Sequence, residues 1–381
     1  MRRAVGDGTL QLDAALCRQL MSWTALHSTG IFVGQCGEED TMEDVAVVGV
    51  DLAKSVFQVH GIDAQGQVVV RRRLSRLKLL AFFERLPRCL VGMETCASAN
   101  YWARELMGLG HQVRLMPPQY VKPYVKRSKN DASDAEAICE AVTRPTMRFV
   151  GVKSSEQQSV LVLHRTRLVL TRQRTQIGNA IRAHLAEFGI VAPVGRLGFD
   201  RLVTVIADED DERVPALARA CLAMLVEQHR LVLSHMLETD RAIRMHSRSS
   251  ELGRRLQDIP GVGPLVASAL MATVPDPHVF KNGRGLSAWL GLVPRQNSSG
   301  GKERLGGITK AGDTYLRKML FVGAMAVIRH AERYGTRKPW LIKLLSRRHP
   351  RIAAIALANK IGRIAWALMT SGERYREPVI A

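Results

Sequence analysis

At 381 residues the chain can hold two or three domains, each with its own core, and its 46% hydrophobic and 24% charged residues are an ordinary globular balance. Lys and Arg total 55 against 35 Asp and Glu, a formal charge of +20. Such an excess costs self-repulsion in a compact chain, so it points to a polyanionic partner, nucleic acid above all, and away from a merely basic globule.

In chain order, residues 1–44 are an N-terminal extension of short apolar stretches mixed with Gly and polar residues. The opening Met-Arg-Arg-Ala-Val-Gly-Asp lacks the apolar segment of a signal peptide. Residues 45–50 form a continuous apolar run, as expected of a strand buried on both faces. Further strands are expected at 56–60 and 68–70, with a turn at 61–66 between them. A helix near 76–86, a strand at 89–93, a helix at 100–109, a strand at 112–116 and a helix at 131–143 follow. Strands followed by helix and strand in alternation predict an α/β domain with a mixed sheet over 45–150.

From 151 to 250 the pattern turns to long helices, with Leu161, Leu168, Ile177, Ile181 and Leu185 near helical spacing and arginines interleaved. Pro193 and Gly195 break the first helix, and a second is expected over 212–245. This helical, coiled-coil-like middle is either a hairpin with a solvated arginine face or an arm for assembly and backbone contact. Residues 251–370 form a third, mainly α region, and 371–381 a tail. The region 251–381 carries 22 Lys and Arg against 8 Asp and Glu, so most of the net positive charge sits there. No apolar run is long enough to span a bilayer; residues 352–369 come closest and are interrupted by Lys360 and Arg363. The six cysteines show no CxxC or zinc spacing and are expected as reduced thiols in the cytoplasm.

Four acids stand out. Asp51 ends the first strand in Val-Gly-Val-Asp-Leu-Ala-Lys, and Glu94 ends another in Val-Gly-Met-Glu. Asp131 and Asp134 are spaced i, i+3, which places both on one face of a helix. Singly, each has a plainer role: a capped turn, a surface acid, an acidic helix start. Together they favour a site for hard divalent cations such as Mg²⁺ (or Mn²⁺), the usual remedy for crowded carboxylates.

In the third region, Ile259-Pro260-Gly261-Val262-Gly263-Pro264 links two helices. A Gly-x-Gly turn at a helix start can cradle a phosphate on Gly261 and Gly263, or can serve only as a tight connection. It resembles a helix-hairpin-helix element. The stretch from Leu286 to Asp313 reads as an exposed Gly/Ser loop ringed by Arg295, Lys302, Arg304 and Lys310, cations that could meet phosphates. Serines in such loops are usually turn formers, although a serine among cations can also attack phosphorus.

Two segments carry a family resemblance. Val-Gly-Val-Asp-Leu-Ala-Lys, Gly-Met-Glu-Thr-Cys and Lys-Asn-Asp-Ala-Ser-Asp-Ala resemble the N-terminal domain of the IS110/IS1111-type (IS116/IS110/IS902) transposases. That resemblance implies a RuvC-like domain of the RNase H fold, with a DEDD acid set on Asp51, Glu94, Asp131 and Asp134 and with Lys54, Lys129 and Asn130 near phosphate or the acids. Gly-Leu-Val-Pro followed by Ser-Gly and by Gly-Gly-Ile-Thr-Lys resembles the C-terminal domain of the same family. There it implies a serine nucleophile on Ser299, with Ser298 adjoining. The implied protein is a DNA recombinase that uses a metal-bound acid set and a serine. It works on element DNA with a structured non-coding RNA, as a homodimer or homotetramer at the nucleoid, with no membrane partner. A metal-only nuclease or junction resolvase and a non-catalytic nucleic-acid-binding protein are the alternatives.

Overall fold

The computed structural model describes residues 44–126, 131–336 and 338–377. Five strands form one sheet: β1 Val47–Leu52, β2 Val56–Ile62, β3 Val68–Ser75, β4 Leu90–Glu94 and β5 Gln112–Met116, in the order β3-β2-β1-β4-β5. The hairpins β1–β2 and β2–β3 are antiparallel, whereas β4 and β5 run parallel to β1. This mixed sheet is consistent with the RNase H-like fold that the resemblance implies. Helices α1 Leu79–Phe83 and α2 Ala99–Gly108 supply the crossovers, α3 Pro118–Val121 follows β5, and α4 Asp131–Val142 returns across the sheet.

Strand alternation divides β1 between two faces. Val48 and Val50 are fully buried in a core that also holds Phe57, Phe83, Met93, Trp102 and Leu106. Phe57 and Trp102 meet edge to face at 5.2 Å between ring centres. Gly49 and Asp51 turn to the opposite face, and there α4 lies directly on the strand. A Cβ on Gly49 would sit 2.3 Å from the Ala135 carbonyl oxygen and 2.4 Å from the Cys139 nitrogen. Gly92, the register partner of Gly49 on β4, is equally tight: its Cβ would come 2.8 Å from Cβ of Val142. Cys139 is buried in this seam, and burial pushes its thiol up to about 12. Cys89 is likewise buried and free, and Cys96 and Cys221 are exposed; Cys17 and Cys36 lie outside the described residues.

The chain leaves the sheet through Val150, whose N–H donates to Leu115. The Lys153 carbonyl accepts from Arg104, and the Lys153 N–H donates to Asn100 Oδ1 at 2.9 Å. A reciprocal capping box between Ser154 and Gln157 opens the long α5, Ser155–Ala186. Helices α6 Arg196–Ala207 and α7 Ala216–Ser249 complete the helical middle, around Ile177, Ile181, Leu185, Leu202, Ile206 and Leu222. The expected helix over 212–245 is thus α7, which runs a turn further, and α6 is an addition placed after Gly195, at φ 108°.

The third region is mainly α: α8 Glu251–Gln257, α9 Pro264–Thr273, α10 Gly283–Trp289, α11 Thr314–Tyr334, α12 Pro339–Leu345 and α13 Pro350–Ser371. The expected loop 286–313 is more ordered than its composition suggested. Residues 286–289 are helical, and strands β6 Pro294–Gln296 and β7 Leu305–Ile308 form a hairpin. Among the described residues α13 is, by length and composition, long and apolar enough to cross a bilayer, and it contains the 352–369 run that the sequence singled out. Its Ala353, Ala354, Leu357, Ala358, Ile361 and Leu368 pack into the core of this region.

A buried polar chain joins the middle to the third region. His164 on α5 contacts the Tyr315 hydroxyl at 2.8 Å and the Ser268 hydroxyl at 3.1 Å, and Ser268 contacts His246 at 3.4 Å. Burial, helped by the Arg167 guanidinium, pushes the His164 pKa down to about 4.

Two stability predictions follow from these contacts. Gly49→Ala is expected to cost about 1–3 kcal/mol or more, because helix backbone cannot give way as a side-chain end can. Gly108→Ala, with nothing within 4 Å of the new methyl, is expected to be neutral or slightly stabilising, and urea melts of both variants check the contrast. An unfolded histidine binds its proton near pH 6.5, and folded His164 only near 4, so the contribution is full above about 6.5 and is lost as pH falls through that window. Relative to His164→Gln, the wild type is expected to lose about 2 kcal/mol between roughly pH 7 and 5.

Candidate metal centre

The glycines explain how the acids meet. Gly49 and Asp51 are two residues apart on β1, as are Gly92 and Glu94 on β4, so each acid shares a face with its glycine. Val50 pairs with Met93, which sets Asp51 and Glu94 side by side at the carboxyl ends of adjacent parallel strands. Cys139 lies over Gly49 and reaches toward the Val47 carbonyl, so α4 runs against β1 and brings its first turn to the strand ends. Asp131 lies one helical turn before Ala135, and Asp134 one turn before Ile138, so both acids sit at that first turn.

Ligand oxygens of Asp51, Asp131 and Asp134 all lie within 4.8 Å of one another. Asp51 and Asp134 are half-buried and Asp131 is exposed. Three of the four expected acids are therefore assembled; Glu94 is not one of the three, and strand register holds it beside Asp51. Oxygen-only ligands, partial exposure and mutual repulsion suit a hard divalent cation that keeps some of its waters. The positive end of α4 offsets part of the repulsion. Further along α4, Lys126 bridges Glu136 and Glu140 at 3.4 and 3.3 Å, which keeps those two acids on the flank.

The other expected residues are dispersed. Lys54 is exposed in the β1–β2 turn, and Lys129 and Asn130 lie outside the described residues. Gly261, at φ 91°, approaches α11: the Cβ of Gly323 would sit 2.0 Å from the Gly261 carbonyl oxygen. That packing accounts for Gly261, while Gly263 stands open and exposed at the start of α9.

In the β6–β7 hairpin, Gly300 and Gly301 both have left-handed φ, 57° and 75°, as a tight two-residue hairpin turn requires. Ser299 and Lys302 flank that turn as a bridge pair, with Lys302 N–H donating to the Ser299 carbonyl. Asn297 N–H donates to the Arg304 carbonyl, so Ser299, Lys302 and Arg304 share one face by alternation. Ser298 differs from its neighbour: its hydroxyl accepts the Arg304 N–H at 3.1 Å. Arg295 is exposed on β6, and Lys310 is held at φ 57° beside the close contact of Gly291 and Ala311.

The residues missed from sequence are Gly49 and Gly92, hidden in apolar runs, and the arginines of β3. The signal for the glycines was a repeated small-x-acid ending on two strands.

Residues 48–190 match a family model described as a transposase of the DEDD IS110 type, and residues 253–339 match that of the transposase IS116/IS110/IS902 family. The chain is 46% identical over 339 residues to the putative transposase y4pF/y4sB of Sinorhizobium fredii, covering 88% of this chain and 87% of that one. It is 49% identical over 331 residues to a probable family 20 transposase of Pseudomonas aeruginosa, covering 86% and 98%. It is 42% identical over 345 residues to the transposase for insertion sequence element IS1111A of Coxiella burnetii, covering 88% and 93%.

If the three carboxylates hold a cation, Mn²⁺ is expected to raise the melting temperature, by the equivalent of about 2.7 kcal/mol at a hundredfold excess over its dissociation constant. Asp134→Asn is expected to abolish that rise while changing metal-free stability by less than about 1 kcal/mol.

Proposed function

Because the chain belongs to the IS116/IS110/IS902 family of transposases, enzymes of phosphoryl transfer on DNA, we propose that it cuts and rejoins element DNA through an acid-bound Mg²⁺ centre and a serine nucleophile. The observation that carries this reading is the convergence of the Asp51, Asp131 and Asp134 oxygens within 4.8 Å. Together with Glu94 these residues would hold Mg²⁺, with Mn²⁺ an alternative. Bound there, the metal would neutralise and polarise the scissile phosphodiester.

Ser299 supplies the attacking oxygen. Its Oγ forms a bond to phosphorus, the bond from phosphorus to the leaving deoxyribose oxygen breaks, and the serine proton ends on that oxygen. Rejoining reverses the exchange with a new strand. Lys302 and Arg304, on the serine's face of the hairpin, stabilise the charge that develops at phosphorus. Ser299 is favoured over Ser298, whose hydroxyl is engaged by a backbone N–H.

Assembly across subunits is supported by the helical middle. Leu217, Met224, Leu231 and Met245 are exposed on α7 at multiples of seven residues, a stripe suited to a second helix in a homodimer or homotetramer. A structured non-coding RNA as guide accords with the family resemblance and with a charge of +20. Gly263 and the start of α9, with Arg295, Lys310 and Lys54, are proposed contacts to phosphate.

The test is denaturing electrophoresis of the protein with element-end DNA, flanking non-coding RNA and Mg²⁺. A covalent protein–DNA adduct is expected for wild type and Ser298→Ala, and its loss in Ser299→Ala and Asp51→Asn. Cleavage without an adduct, unaffected by Ser299→Ala, would contradict the serine step and leave a metal nuclease.

A further inference from the structure

The edge strand β3 carries three consecutive arginines, Arg71, Arg72 and Arg73, all exposed. Sheet register ties two of them to the acids. Asp51 pairs with Gln58 on β2, and Gln58 with Arg73 on β3; in the row behind, Gly49 pairs with His60 and His60 with Arg71. Paired residues share a face, so Glu94, Asp51, Gln58 and Arg73 form one row across the face that carries α4. With strands about 4.8 Å apart, Arg73 stands about 10 Å from Asp51 at the backbone, within reach of the next phosphate or two along a strand lying in the site.

A cavity of about 450 Å³ opens along this row. Its walls include Gln58, Arg71 and Arg73 from the sheet, and Ala132 and Ser133 from the first turn of α4, between the two acidic positions of that turn. His60 forms a buried floor, and burial lowers its pKa and so favours its neutral form. The carboxylate on this wall, Glu136, is paired with Lys126.

We propose that Arg71 and Arg73 are positioning residues that grip the DNA phosphates next to the scissile one, with Gln58 between them and the metal centre. The proposal rests on the acid-site reading above. A guanidinium fork is matched to a phosphate's oxygens, and an edge strand leaves those forks open to an incoming backbone. Sequence identity does not enter into such a contact, so the row fixes register and direction of the strand and leaves target choice to other elements.

The test is a phosphate-neutralisation scan on the full chain with Mg²⁺ and the flanking non-coding RNA. The probe is duplex DNA from the element end, with one neutral methylphosphonate at a time along the cleaved strand and binding as the readout. Wild type is expected to lose affinity at the one or two phosphates beside the cut bond. Arg71→Ala/Arg73→Ala is expected to ignore those replacements, stay sensitive elsewhere, and show a salt slope smaller by about 0.9 per lost contact. Arg73→Gln alone, a milder change, is expected to erase sensitivity at a single phosphate, and Arg71→Lys/Arg73→Lys to retain the wild-type pattern at reduced strength. An interference pattern shared by wild type and both neutralising variants overturns the proposal. Mn²⁺ binding, followed on the same proteins, separates the two readings: it is expected to survive the arginine substitutions. Its absence in wild type would strike the acid site and leave the interference pattern to judge the arginines.

Discussion

The contact between α4 and two glycines is the constraint on which the arrangement of the acids depends. Gly49 and Gly92 are register partners on adjacent parallel strands, and a methyl on either would collide with the helix. Helix backbone at that distance leaves little freedom in slide or rotation, since close-packed interiors transmit rather than absorb a shift. The acids inherit the precision of this seam, being two residues beyond each glycine on the strands and one turn before Ala135 and Ile138 on the helix. An apolar seam of larger side chains would hold the helix further out and spread the carboxylates.

Crowding carboxylates in a chain of charge +20 is less paradoxical than it looks. The acids lie at the positive end of a helix, and the cations nearest in register stand two strands away on β3. On the proposed reading, a polyanion drawn in by the overall field would meet the β3 arginines beside the acids. On the same reading, a divalent ion at that point would reconcile phosphate with carboxylate. In the β6–β7 hairpin, toward the other end of the chain, Lys302 and Arg304 lie on the same face as Ser299.

Much of the first domain was legible. Strand β5 lies at the expected 112–116, and Asp51, Glu94 and the Asp131–Asp134 pair were visible as strand-end and helix-face acids. The seam was not, because glycine in an apolar run looks like any small residue until the helix above it is known. The β6–β7 hairpin escaped for another reason: Pro294, Arg295 and Gln296 are all exposed, so no alternation of apolar and polar residues betrays a strand. Gly261 shows the limit most clearly. A Gly-x-Gly turn before a helix fits a phosphate cradle and a backbone close approach equally well, and only the position of Gly323 on α11 shows the second role. Lys360 and Arg363, which interrupt 352–369 as a bilayer-spanning run, leave the buried face of α13 intact.

The most direct measurement is a crystal structure of the full chain grown with Mn²⁺, with the metal located by its anomalous signal. The account predicts a peak between the carboxylates of Asp51, Asp131 and Asp134, with ligand distances near those of oxygen-bound divalent ions, about 2.0–2.2 Å. Manganese bound elsewhere, with those carboxylates left unligated at saturating metal, would contradict it.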